Sequence, residues 1–249
     1  MIKKRFSIEY SFSICISEII MKNIQIEEIS SLTDSFLNRM KAIYESSFRI
    51  DERVPWELLE YDLKKKRRQS EGNQHLFSIY NEAEIIGFGI SIFYWEFTYP
   101  AYIAIEKKYQ NKGIGSQLVM KIKDVAFNDA EEYKVSPLIF FEVEKPELAR
   151  NSAEKKEIVN RIKFYQKFNA TFLEVDYIEP PLLGKELPMY LVMISSPEIN
   201  YIKSDSLIQY VKTIYRQEYY LPVKKQEKYL KILTDSIKSR EIIYSIQPI

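Results

Sequence analysis

The sequence predicts an α/β fold, and three observations carry that prediction. Segments with strand patterning alternate with segments of helical spacing from residue 24 to residue 195, which is the order that builds a sheet flanked by helices. A chain of 249 residues, 46% of them hydrophobic, is long enough to bury a sizeable core. No apolar run approaches the roughly 20 residues that cross a bilayer, so the apolar segments are read as core.

In chain order, Ile24-Gln25-Ile26 opens the first strand. Residues 33–48 and 55–69 follow as two helices, the second entered through Pro55 in its first turn. His75–Tyr80 and Ile85–Tyr94 read as a hairpin turning at Asn81-Glu82-Ala83-Glu84. Tyr99–Ile105 is a further strand. Leu118, Val119, Ile122, Val125 and Ala126 recur at helical spacing and predict a helix from about Gly115 to Asn128. Pro137 introduces the strand Leu138–Val143, and residues 153–168 form another helix with Ile158, Ile162 and Tyr165 on one face. Leu187–Ser195 is the last strand of this part. Beyond Pro197, residues 205–220 and 224–240 read as amphipathic helices, with no strand signal before Ile242. They suit an appendage covering part of the domain or a dimer partner; a surface that recruits another protein is the sharper reading.

The first twenty residues admit three readings. Lys3, Lys4 and Arg5 before Phe6–Ile16 superficially resemble a signal peptide, but Glu9 and Glu18 interrupt the apolar stretch and no small-x-small cleavage site follows. The alternation from Ile8 to Ile16 also suits a strand, and Met21 suits a functional start. A cytoplasmic protein is the expectation. The organisation expected is an N-terminal extension over 1–21, an α/β domain over 22–196 and a helical C-terminal extension over 197–249.

Composition excludes several chemistries. A formal net charge of +1 gives no strong basic field for nucleic acid. The single cysteine, Cys15, rules out an internal disulfide and a cysteine-based zinc site, and the single histidine, His75, leaves no His-rich metal cluster. No metal is expected. His75 opens a strand far in sequence from the motifs below and reads as structural. The run Lys64-Lys65-Lys66-Arg67-Arg68 suits a solvated helix end, where positive charge complements the macrodipole; phosphate binding is its alternative use.

The informative segment runs from Tyr102 to Ser116. Two of the chain's six glycines, Gly113 and Gly115, fall where a loop after a strand meets an amphipathic helix. Such a loop turns tightly, and its amides, with the positive end of the helix, make an anion site. It is neither a P-loop nor the dinucleotide Gly-x-Gly-x-x-Gly.

Here the sequence resembles the GNAT family of N-acetyltransferases. Their cofactor motif, Gln/Arg-x-x-Gly-x-Gly/Ala after a strand close to Tyr-Ile-Ala-Ile, matches Gln110–Gly115 after Tyr102–Ile105. A second signature, Phe/Leu-Tyr-x-x-x-Gly-Phe, is similar to Phe164-Tyr165-Gln166-Lys167-Phe168-Asn169-Ala170. It departs at Asn169, which also tolerates left-handed backbone, and at Ala170, whose missing aromatic Phe172 can replace.

The resemblance covers roughly residues 22–195. It implies a mixed, mostly antiparallel central sheet flanked by helices, with strands splayed at an acyl-CoA site. It also implies acetyl transfer from acetyl-CoA to a primary amine. Ile103, Ala104 and Ile105 would hold the pantetheine arm through their backbone. The pyrophosphate would sit on the loop Gln110, Asn111, Lys112, Gly113, Ile114, Gly115 and Ser116. Glu142, in Phe-Glu-Val, matches the position of a general base in some relatives, with Glu144 as its replacement. Tyr165 matches the tyrosine that protonates the leaving thiolate. Tyr99 stands where other relatives carry a carboxylate base, which weakens a histone-acetyltransferase-like reading.

The bland readings are a solvated Glu142 and a packing Tyr165. Trp56, Trp95, Tyr94 and Phe97 suit core or acceptor-pocket walls. Asp51, Glu52 and Glu96 could attract a cationic acceptor, either a small amine or a peptide amine. A homodimer is compatible with the pattern. The alternative from another class is a non-catalytic acyl-CoA-binding or interaction module, differing from the enzyme at Glu142 and Tyr165.

Overall fold

A computed structural model describes residues 23–50, 53–65, 72–181, 185–197, 199, 201–238 and 240–246. The fold is mixed α/β, a largely antiparallel sheet flanked, among the described residues, by six helices. The chain divides into two compact units of interleaved segments. Of the described residues, one unit comprises those up to Arg49 with His75–Ser91 and Tyr102–Asp124, and the other those of Ile50–Gln74, Ile92–Ala101 and from Val125 on.

In the first unit, β1 (Ile24–Glu28) lies antiparallel to β2 (Asn73–Asn81), from Ile24 opposite Asn81 to Glu28 opposite Phe77. Helix α1 (Asp34–Ser47) starts where the Thr33 hydroxyl accepts from the Phe36 amide at 3.2 Å. It buries Phe36, Leu37, Met40, Ile43 and Tyr44, a stripe with helical period. Tyr44 packs on Phe48, Phe88 and Tyr102. Strand β3 (Glu84–Phe93) follows β2 through a turn at Glu82, whose φ is 55°. It borders β4 (Thr98–Ile105), and each of these two strands runs from one unit into the other. Gly87 lets them approach: a Cβ there would lie 2.6 Å from the Ala104 carbonyl oxygen. Arg39 on α1 ties the unit together, donating to the Ile85 carbonyl at 2.8 Å and to the carboxylates of Glu84 at 3.1 Å and Glu106 at 2.5 Å.

In the second unit, β5 (Leu138–Glu144) runs parallel to β4 at Thr98 opposite Ile139, and the pairing goes no further through Ala101. Pro100 has no N–H to continue it. On its other side β5 pairs antiparallel with β8 (Leu187–Ser195) along its whole length. Helix α2 (Trp56–Lys65) belongs to this unit. So does the C-terminal half of α3 (Ile114–Tyr133), which begins one residue earlier and ends five later than the apolar spacing indicated. Helix α4 (Ser152–Gln166), capped by Asn151, sets Ile158 and Ile162 against Phe141, Val143, Phe172 and Val192. Short strands β6 (Thr171–Leu173) and β7 (Tyr177–Glu179) pair in succession with β8, and neither was expected. Three residues are too few to display alternation.

The segment after Pro197 is not purely helical. Strand β9 (Tyr201–Lys203) precedes α5 (Ser204–Gln217) and α6 (Val223–Ile237), and β10 (Ile242–Ile246) pairs with both β9 and β6. The C-terminal segment therefore extends the sheet as well as covering it. Residues 1–22, and Lys66, Arg67 and Arg68 of the basic run, lie outside the described residues. Among the described residues no helix is long and apolar enough to cross a membrane.

Candidate active site

The glycine loop forms where β4 ends. A short 3-10 turn at Lys107–Tyr109 follows Ile105, and Gln110 folds back so that its side-chain amide donates to the Ile105 carbonyl at 2.8 Å. The motif's first residue thus braces the loop against its own strand. Asn111 and Gly113 take left-handed backbone, with φ of 60° and 80°, and α3 begins at Ile114. Only glycine adopts the second conformation without strain. Gly115 lies inside the first turn of α3, so Gly113 supplies the turn and Gly115 supplies only small size. The first amides of a helix have no intrahelical acceptors, and those of Ile114, Gly115 and Ser116 stand at the positive end of a 20-residue helix. These residues fit a bound pyrophosphate.

Glu142 sits near the end of β5, partly buried, and its described partners are three phenols. Tyr99 donates to Oε2 at 2.7 Å, Tyr177 to Oε1 at 2.5 Å, and Tyr219 reaches Oε1 at 3.5 Å. Burial raises the carboxyl pKa, the Tyr177 and Tyr99 hydrogen bonds lower it, and the charge of Glu218 raises it, leaving it at about 6. A group so poised is ionised at neutral pH and accepts a proton readily. The three phenols move the other way: burial, then the neighbouring carboxylate, holds Tyr99, Tyr177 and Tyr219 well above the usual tyrosine range. They remain donors.

Tyr165 lies in the last turn of α4, its ring 4.4 Å from that of Phe141 and also against Phe164. Among the described residues its hydroxyl has no hydrogen-bond partner. Burial raises its pKa, Arg161 lowers it and Glu144 raises it. The second motif ends as its asparagine suggests, with Asn169 at φ 58°. Phe141 and Glu142 alternate across β5, so Tyr165 and Glu142 lie on opposite faces of that strand. The structure does not bring the two side chains into contact.

The remaining candidates are structural or outside view. Glu144 forms an ion pair with Arg161. His75 pairs with Glu28 at 2.7 Å. Trp56, Tyr94 and Phe97 are buried; Tyr94 donates to Glu218, and Phe97 packs on Phe140 and Tyr210. Trp95 packs on Phe93 and Tyr133. Asp51 and Glu52 lie outside the described residues, and Glu96 is exposed. Among the described residues no cluster of His, Cys, Asp and Glu could hold a metal.

Sequence reasoning missed Tyr177, Tyr215 and Tyr219. The signal was there in weak form: Tyr215 and Tyr219 stand four residues apart in a chain with 19 tyrosines, and such spacing puts two rings on one helical face.

Residues 37–150 match the acetyltransferase (GNAT) family. A solved protein of Bacteroides thetaiotaomicron assigned to that family superposes with a TM-score of 0.56 at 23% identity, covering 80% of this chain and 99% of its own. A GNAT-family acetyltransferase from Elizabethkingia anophelis with acetyl-CoA bound matches at 18% identity and a TM-score of 0.44, over 70% of this chain and 98% of that one. The ribosomal-protein-S18-alanine N-acetyltransferase of Escherichia coli matches at 18% identity and 0.43, over 69% and 93%. No curated protein matches the chain.

Proposed function

On the premise that residues 37–150 are a GNAT-family segment, we propose that the protein is an N-acyltransferase that moves an acetyl group from acetyl-CoA to a primary amine. The single observation that carries this reading is the loop from Gln110 to Ser116, with Gly113 at φ 80° feeding a long helix directly after the Tyr-Ile-Ala-Ile strand.

In this reading the amides of Asn111 to Ser116 bind the pyrophosphate, and backbone groups of Ile103, Ala104 and Ile105 align the pantetheine arm; an amide there polarises the thioester oxygen. Glu142 projects from one face of β5, and Tyr165 on α4 packs against Phe141 of the other face. The amine enters in its neutral form, and Glu142 takes the one proton its nitrogen sheds on becoming an amide. The amine nitrogen forms a bond to the thioester carbon, the carbon–sulfur bond breaks, and Tyr165 gives its proton to the departing thiolate. A thiol near pKa 8.5 leaves as a weaker base than the phenolate it produces, so a proton relay must then restore Tyr165.

We assign the acyltransferase part to residues 22–196 and treat 197–249 as an extension of it. The expected setting is the cytoplasm, with no metal, nucleic acid or membrane taking part. Coenzyme A release, measured over a panel of small amines and peptide N-termini, tests the proposal. Turnover that collapses in Glu142→Gln and Tyr165→Phe is expected. Tight acetyl-CoA binding with no turnover on any amine would replace the enzyme with a binding module.

A further inference from the structure

We propose that the C-terminal extension builds the seat of Glu142: Tyr177, held by Tyr215 of α5, and Tyr219, just past the end of α5, are positioning residues for that carboxylate. The inference rests on reading Glu142 as the base, and it adds what fixes that base in place.

Both carboxylate oxygens are occupied, Oε2 by Tyr99 and Oε1 by Tyr177 and Tyr219. A carboxylate held at both oxygens cannot rotate about its last torsion without breaking a charge-assisted hydrogen bond. Tyr99 comes from β4, but the shortest bond comes from Tyr177 on β7, a strand of only three residues with little rigidity of its own. The extension supplies it. The Tyr215 ring stacks on Tyr177 at 5.6 Å with an interplanar angle of 27°, and the Tyr215 hydroxyl donates to the carbonyl of Ile178, the next residue of β7, at 2.8 Å. Tyr215 is backed in turn by Tyr229 of α6. Tyr219 lies beside Tyr215, and its single O–H is shared between Glu179 at 3.3 Å and Glu142 at 3.5 Å. Helix α5 thus grips β7 by ring and by backbone, and the turn after it reaches the carboxylate directly.

The groups that face Glu142 come from each neighbouring element: Tyr99 on β4, Tyr177 and Glu179 on β7, and Tyr215, Glu218 and Tyr219 from α5 and its end. Glu218 is itself held by Tyr94. Removing a phenol donor leaves the charged form less supported while Glu218 continues to oppose it. The carboxyl must then titrate higher.

The test uses the full chain labelled with ¹³C at the glutamate carboxyls, with the Glu142 resonance identified by its loss in Glu142→Gln. Tyr177→Phe should move its titration upward by roughly one pH unit, the scale of one hydrogen bond to a charged group. Tyr219→Phe, which removes a longer contact at the end of a helix, should move it upward by less and serves if Tyr177→Phe does not fold. Tyr215→Phe should also raise it, acting through β7. A Glu142 titration unchanged in the folded Tyr219→Phe variant and in any other variant that folds overturns the proposal. The acid limb of kcat/KM, measured on an amine from the panel, separates this from the function. A moved titration with an unmoved acid limb keeps the seat and removes Glu142 from the base role.

Discussion

Glu142→Gln has an effect on stability that can be worked out before any substrate is known. The folded protein holds this carboxyl at about 6 against an ordinary 4.5. Below pH 4.5 the group is protonated whether the chain is folded or not, and it costs the fold nothing. As pH rises through 6 the folded protein must carry a charge that burial disfavours, so stability present at low pH is lost. At 1.36 kcal/mol per unit, the loss across that window is about 2 kcal/mol. Glutamine does not titrate. Its amide nitrogen cannot accept from a phenol, so the variant carries a fixed penalty from Tyr99 or Tyr177, but that penalty is the same at every pH. Urea unfolding of both proteins from pH 4 to pH 8 reads the difference, since titrating groups remote from residue 142 cancel. The wild type's advantage over Glu142→Gln should shrink by about 2 kcal/mol with rising pH. A difference that stays constant, or grows, across this range would refute the argument that burial outweighs the phenols.

Three other outcomes are expected. Gly115→Trp keeps a helical backbone that tryptophan tolerates, so it should fold, yet lose acetyl-CoA binding by calorimetry; unchanged binding would remove the loop from the ligand site. Tyr165→Phe removes a hydroxyl that has no described partner, so thermal unfolding should shift little while kcat falls roughly 10²-fold and acetyl-CoA affinity holds; wild-type turnover would make Tyr165 a packing residue. Arg39→Leu leaves the carboxylate of Glu106 and the carbonyl of Ile85 without that donor, and should lower stability by about 2–3 kcal/mol in urea unfolding; a loss below 0.5 kcal/mol would show that water replaces the guanidinium.

Elements with many turns of period were legible from the residues. Leu187–Ser195 appears with the boundaries its apolar run indicates, and Thr33 caps α1 where a hydroxyl residue precedes the apolar stripe. Gly113 and Asn169 adopt the left-handed backbone that their residue types announce. What escaped is what local pattern cannot carry. β6, β7 and β9 have three residues each and exist because β8 and β10 supply their partners. The acid and base candidates could be placed on their elements by motif, but not the parity that sets Phe141 against Tyr165 and turns Glu142 the other way. The phenols around Glu142 come from residues 99, 177 and 219, and long separation along the chain leaves no periodic trace.

The pairing of β10 with β6, Ser245 opposite Leu173, orders events while the chain is being made. At ordinary elongation rates of about 5–20 residues per second, β6 waits on the order of 4–15 s for the strand that completes it. During that interval its free edge can template the wrong pairing, and until residue 219 has been made Glu142 lacks one of the hydroxyls that seat it. If Glu142 is the base proposed above, a chain cut short before α5 would lack both the Tyr215 grip on β7 and the Tyr219 hydroxyl.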